Sequence, residues 1–195
     1  MLAIGLLLFG LGEALLVASG AGVSPWTVFA QGFSQVTDWS IGFSTFTISF
    51  FVLLLWIPLR QKPGFGTVLN IITISFVLDL STPYLPVFDI PALQIAEAAL
   101  GVVITGIGGG IYLIANLGPG PRDGLMTGLQ RQTGRPLATV RSLIEISVVM
   151  LGWSLGGVVG IGTLMFAFGI GPCVATSMLF LQFCFADHSA DQRTE

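Results

Sequence analysis

GLLLFGLGEALLVASGAGVSPWTVFAQGFS, residues 5–34, and GVVITGIGGGIYLIANLGPGPRDGLMTGLQ, residues 101–130, are the opening parts of one unit that occurs twice. The match runs without a gap from residues 5–76 onto residues 101–172, at a constant offset of 96. Fifteen of the seventy-two pairs are identical, and most of these are residues with backbone roles: Gly10/Gly106, Gly12/Gly108, Gly22/Gly118, Pro25/Pro121, Gly32/Gly128, Gly64/Gly160, Gly66/Gly162 and, beside them, Thr67/Thr163. Internal repeats of apolar segments are a common way of building transporters, so the duplication bounds the kind of machine without naming a substrate.

The solvent of this chain is lipid. Hydrophobic residues make up 53% of it and charged residues 9%, with a mean hydropathy of +0.91. A soluble domain of 195 residues would leave too much apolar surface in water. The net charge of −3 carries little information, because Asp187, Asp191 and Glu195 fall in a short polar tail. No basic cluster points to nucleic acid. Cys173 and Cys184 lie in one apolar run and read as packing residues, since no Cys/His spacing suits a metal.

Six runs are long enough, or nearly so, to cross about 30 Å of hydrocarbon as helices. They lie near Leu2 to Ser19, Ile41 to Leu59, Gly66 to Leu80, Ala92 to Ala115, Leu137 to Gly157 and Gly162 to Ala186. The fold expected is an all-α polytopic bundle in one transmembrane domain, 1–186. Repeat one covers 1–80, a connecting loop 81–91 and repeat two 92–186, with a polar cytoplasmic tail at 187–195. The first run resembles a signal peptide in its Ala18-Ser19-Gly20-Ala21 segment, but no Lys or Arg precedes it and its counterpart at residues 101–116 is internal.

With the N-terminus cytoplasmic, Arg60, Lys62, Arg122, Arg131, Arg135 and Arg193 all fall on the cytoplasmic side, and the opposite loops contain no Lys or Arg. The termini are therefore both expected in the cytoplasm of a bacterial inner membrane. Three spans per repeat is an odd number, so the two copies are expected upside down relative to each other, as a 3+3 inverted repeat.

Each repeat carries a turn ahead of its second span: Gly22-Val23-Ser24-Pro25-Trp26 in one copy, Gly118-Pro119-Gly120-Pro121-Arg122 in the other. Pro25 and Pro121 suit the first position of a helix, where a missing N–H costs nothing. Trp26, Phe29, Phe33 and Val36 then recur at helical spacing opposite Thr27, Gln31, Ser34 and Gln35. About twelve residues cannot span a bilayer. Two readings follow: interfacial helices between spans, or re-entrant half-helices whose N-terminal amides offer partial positive charge to an anionic group. Arg122 would reinforce that field, and Asp123 would oppose it or cap its own helix.

Ionisable residues within spans face protein or water. Glu13 and Glu145 lie roughly 17 and 12 Å from the cytoplasmic side at 1.5 Å per residue. Arg141 stands one helical turn before Glu145 and is placed to pair with it. The pair is either structural glue or, with Glu13 and Asn70, part of a substrate or ion pathway. Asp79 and Glu97 sit near the outer ends of their spans and are expected at the interface. The glycines Gly106, Gly108, Gly109 and Gly110, and Gly152, Gly156, Gly157, Gly160 and Gly162, fit close helix crossing or broken helices; Gly152 and Gly156 form a G-x-x-x-G pair.

The strings GAGVSPWTVFAQGFS, LLLWIPLRQKPGFGTVLN, NLGPGPRDGLM and VRSLIEISVVMLGWSLGGVVGIGTLMFAFGIGP resemble the YczE/YyaS/YitT-type bacterial integral membrane proteins, in particular the YczE-like branch. The likeness covers most of residues 1–175. It implies a polytopic cytoplasmic-membrane protein, often guessed to be a transporter, and brings no catalytic or binding residues with it. Members of that family commonly carry a few basic residues ahead of the first span, whereas this sequence starts at Met1-Leu2.

Two functional classes follow. One is a small secondary transporter or exporter working by alternating access, with a small-molecule substrate and a coupling ion. The other is an accessory or scaffold protein acting through helix faces, on a partner or on further copies of itself. An enzyme is not expected: His188 lies in the tail, the spans hold no Ser/His/Asp or metal-ligand set, and no phosphate-binding or cofactor motif is present.

Overall fold

The computed structural model describes residues 1–191, with side chains through residue 183. Among the described residues eight α-helices follow one another: α1 (Leu2–Ser19), α2 (Pro25–Thr37), α3 (Ile41–Leu55), α4 (Phe65–Ser81), α5 (Pro91–Ile114), α6 (Pro121–Thr133), α7 (Leu137–Ser154) and α8 (Ile161–Asp191). A short 3₁₀ turn at Thr82–Tyr84 follows α4, and no strand occurs among the described residues. Among the described residues five helices are long and apolar enough to cross a membrane; α2 and α3, which meet at a 111° bend, reach that length and apolarity only as a pair, for up to six crossings. Large apolar side chains point outward, Phe76 at 65% exposure and Phe168 at 79%, as lipid-facing residues do.

Local chemistry sets the helix starts. Pro25 and Pro121 each occupy the first helical position, with Ser24 and Gly120 as extended residues before them. The starts of α2 and α6, α3 and α7, and α4 and α8 all keep the offset of 96. The second span is shorter than expected: α3 stops at Leu55 rather than Leu59, because Pro58 has no N–H to give and disfavours a helical Ile57. The polar tail begins inside α8, and residues 192–195, with Arg193, lie outside the described residues.

Packing joins the two halves through glycines. A Cβ on Gly5 would stand 2.8 Å from the Gly108 carbonyl oxygen, and one on Gly108 would stand 2.6 Å from the Gly5 oxygen. A Cβ on Gly12 would stand 2.7 Å from the Gly101 oxygen, and one on Gly101 would stand 2.8 Å from the Gly12 oxygen. Residue numbers rise along α1 as they fall along α5, so the two helices run antiparallel with their backbones touching. Gly106 and Gly110 of the same helix face Cys173 and Ser177 of α8. The glycine run in α5 therefore serves close packing on two sides, and the helix is unbroken from Pro91 to Ile114.

The turns lock in the same crossed manner. Gly22, at φ 110°, lies against Gly160, and the Gly162 amide donates to the Ala21 carbonyl at 2.9 Å. Gly118, at φ 121°, lies against Gly64, and the Gly66 amide donates to the Leu117 carbonyl at 2.8 Å. Both turn glycines adopt a backbone conformation that L side chains rarely take. The G-x-x-x-G pair does not form a helix face. Gly152 packs on the backbone of Phe29 in α2, whereas Gly156 lies past the end of α7 at φ 99°.

Candidate functional site

A cavity of about 360 Å³ lies where the N-termini of α2 and α6 approach each other. Its walls include Pro25 and Trp26 from α2, Gly120, Pro121, Arg122 and Asp123 from the second turn, Asn70 and Ser75 from α4, Tyr112 from α5, and Arg141 and Glu145 from α7. A larger groove of about 530 Å³ between α2, α3 and α7 is almost wholly apolar and holds no charged group, so it does not compete as a site for polar chemistry.

The second turn is fixed from several sides. Trp56 Nε1 donates to the Pro121 carbonyl at 3.0 Å, Thr67 Oγ1 donates to the Pro119 carbonyl at 2.8 Å, and the Tyr112 hydroxyl donates to Asp123 Oδ2 at 3.0 Å. Asp123 is the third residue of α6 and caps nothing; Gly120 takes the cap position. The Arg122 guanidinium lies 5.5 Å from the centre of the Trp26 ring. The side chain belongs to the second residue of α6 and lines the cavity, with no carboxylate within 4 Å and no hydrogen-bond partner among the described residues. A cation at a helix N-terminus also opposes the helix dipole. Arg141 and Glu145 do pair, Nε to Oε1 at 2.8 Å, with 45% and 19% of their side chains exposed at the cavity mouth.

Glu13 is placed differently from the other sequence candidates. It is 1% exposed, is not among the cavity walls, and accepts hydrogen bonds through Oε2 from Ser24 Oγ at 2.7 Å and Thr27 Oγ1 at 2.6 Å. The carboxylate thus ties α1 to the first turn of α2. Gly22, Ser24 and Gly118 shape the turns without lining the cavity, whereas Asn70 lines it. Glu97, expected at the interface, is 6% exposed with neither carboxylate oxygen hydrogen-bonded among the described residues. Thr27, Trp56, Thr67, Ser75 and Tyr112 were not singled out as site residues by sequence. Thr67 carried a signal in its identity with Thr163, and Tyr112 in being one of only two tyrosines.

Glu13→Ala is expected to lower stability by about 1–3 kcal/mol, because Ser24 Oγ can still donate to Thr27 Oγ1 but the buried Thr27 hydroxyl loses its acceptor, while Glu13→Gln keeps an acceptor oxygen and loses less. Thermal unfolding of the detergent-solubilised variants checks this. Equal midpoints for both substitutions would count against the tie.

The family described as "Family of unknown function (DUF6198)" matches residues 1–178. The chain belongs to this family. Its relatives include an uncharacterized protein of Haemophilus influenzae, 44% identical over 86% of this chain and 77% of that one. The uncharacterized membrane protein YczE of Bacillus subtilis is 33% identical over 89% of this chain and 82% of its own length. The uncharacterized protein YyaS of the same organism is 27% identical over 83% of each. No solved structure matches the chain. Membership in DUF6198 agrees with the resemblance to the YczE-like branch, and the apolar helices agree with a protein embedded in a bilayer.

Proposed function

We propose that this DUF6198 protein is a small secondary transporter of the cytoplasmic membrane, with two inverted three-span repeats that carry a small molecule bearing an anionic group by alternating access. One observation carries the reading. The cavity is lined by both members of equivalent pairs, Pro25 with Pro121, Trp26 with Arg122, Thr45 with Arg141, Ser49 with Glu145 and Ile74 with Ile170. A cavity built this way lies on the axis relating the halves, where transporters of inverted-repeat design bind substrate. The antiparallel pairing of α1 with α5, which are equivalent helices, supports the inversion.

The charge pattern supports an anionic ligand. Asp123 is hydrogen-bonded by Tyr112 and Glu145 is paired with Arg141, so of the two cations in the cavity wall Arg122 is the one without a partner among the described residues. Two helix N-termini add partial positive charge beside it. Phe9, Trp26, Ile71 and Ile74 would hold an apolar body. A second reading, an accessory membrane protein, draws on the apolar groove between α2, α3 and α7, which would fit a partner helix.

A panel of small carboxylates and phosphates, screened by thermal stabilisation of the purified protein and then by counterflow in proteoliposomes, tests the main reading. At least one compound should raise the unfolding midpoint and exchange across the bilayer; stabilisation without exchange favours the accessory reading. Inversion has its own test in a background lacking the two native cysteines. Asp38 and Gly134 are equivalent, exposed and both left-handed at the ends of α2 and α6. Asp38→Cys and Gly134→Cys should be labelled by an impermeant maleimide from opposite sides of the membrane, and same-side labelling refutes the arrangement.

A further inference from the structure

The glycine contacts between the halves come in matched pairs, whereas the packing of the last two spans within each half does not match. In the first half, Gly42 of α3 packs so closely on α4 that a Cβ there would overlap the Ser75 carbonyl and the Asp79 carboxylate. Asp79 Oδ1 accepts from the Gly42 amide at 2.7 Å and Oδ2 accepts from the Ser40 hydroxyl, so one carboxylate at the end of α4 clasps the start of α3. The equivalent positions in the second half are Ala138 on α7 and Gly171 and Ala175 on α8. There, among the described residues, α7 and α8 share no packed interface, although α3 and α4 do. A Cβ built on Gly171 meets nothing within 4 Å.

The gap is continuous with the cavity. Arg141 and Glu145 form one wall, and Gly171, Val174, Ala175 and Met178 form the other. Because α8 starts at the end of the bundle opposite Arg60 and Lys62, Met178 lies roughly 25 Å further along it at 1.5 Å per residue. The opening therefore leads toward the end that bears Arg60, Lys62 and Arg135, while the Asp79 clasp closes the other end. α8 also contains Pro172, which cannot donate to the Phe168 carbonyl, at a point where α4 has Phe76. A proline inside a helix is an established place for bending.

Resting on the transporter reading above, we propose that α3/α4 and α7/α8 are the two gates of the cavity, held here in opposite states, and that Asp79 latches the closed one. Exchange of states releases Asp79 from Ser40 and Gly42 and brings the Pro172-hinged part of α8 onto α7, seating Ala138 against Gly171 and Ala175. This accounts for small side chains facing open space at the gap. Small residues let helix backbones meet when the gate shuts.

The experiment uses the full chain without its native cysteines, in vesicles, with Ala138→Cys and Ala175→Cys as a pair. Disulfide formation under a mild oxidant reports closure of the α7/α8 gate. With Asp79 intact it should be slow, and adding Asp79→Ala should accelerate it about tenfold, as expected when a charged hydrogen bond biasing two states is lost. Ser75→Cys, a cavity wall, supplies a second reading: an impermeant maleimide should reach it from the Lys62 side in the parent and from the opposite side in Asp79→Ala. An unchanged cross-linking rate with unchanged side of access overturns the latch. Substrate exchange that persists in a pair that never cross-links overturns the gate assignment and leaves the transporter reading standing. Cross-linking that responds to Asp79 without exchange of any panel compound does the reverse.

Discussion

Gly12→Val is expected to unfold the bundle or lower its stability by about 3 kcal/mol or more, at the upper end of overpacking costs. A Cβ at Gly12 would lie 2.5 Å from the Thr105 amide nitrogen and 2.7 Å from the Gly101 carbonyl oxygen. Both obstacles are backbone atoms of α5, so no side-chain rotation relieves the overlap and the helix axes must separate. Separation would also loosen the matching contact at Gly5 and Gly108, since the two lie on one helix pair. Gly171→Ala is the control, because its new methyl meets open space. Size-exclusion profiles and thermal unfolding in detergent give the comparison. A Gly12→Val protein as stable as Gly171→Ala would mean that α1 and α5 do not touch in this way.

Arg122→Gln is expected to weaken binding of an anionic ligand by about a hundredfold, within the 2–5 kcal/mol range for truncating one side of a desolvated charge pair. The side chain is long enough in the variant to keep a polar contact, so the loss measures charge rather than shape. Arg122→Lys should recover only part of the affinity. The planar guanidinium lies over the Trp26 ring, and an ammonium cannot reproduce both that stacking and a two-point grip on a carboxylate or phosphate. Titration calorimetry with the compounds that stabilise the parent protein gives the ratio. Unchanged affinity in Arg122→Gln would move the binding site away from the second turn.

Helix starts and the choice of solvent were legible in the chain because both are local. Pro25 and Pro121 fix φ where they stand, and a run such as residues 2–19 has no charged group except Glu13. The end of α3 was read too late by four residues, since the apolar run continues past Pro58 while the hydrogen-bond ladder does not. Depth alone makes Glu13 a candidate for a pathway in the sequence. Depth follows from counting residues, but the hydroxyls of Ser24 and Thr27 reach it only because the chain turns back into the bundle after Gly20.

Sequence by itself determined that this protein lives in lipid, that its helices follow one another in two matching sets, and that each set contains a short helix led by proline. These properties depend on neighbours in the chain, and their energies are set within a few residues. Only the tertiary structure decided that α1 and α5 meet backbone to backbone, that Arg122 turns inward over Trp26 and that α7 stands apart from α8. Those outcomes depend on which distant surfaces fill the same space, and equivalent residues in the two halves can meet different neighbours.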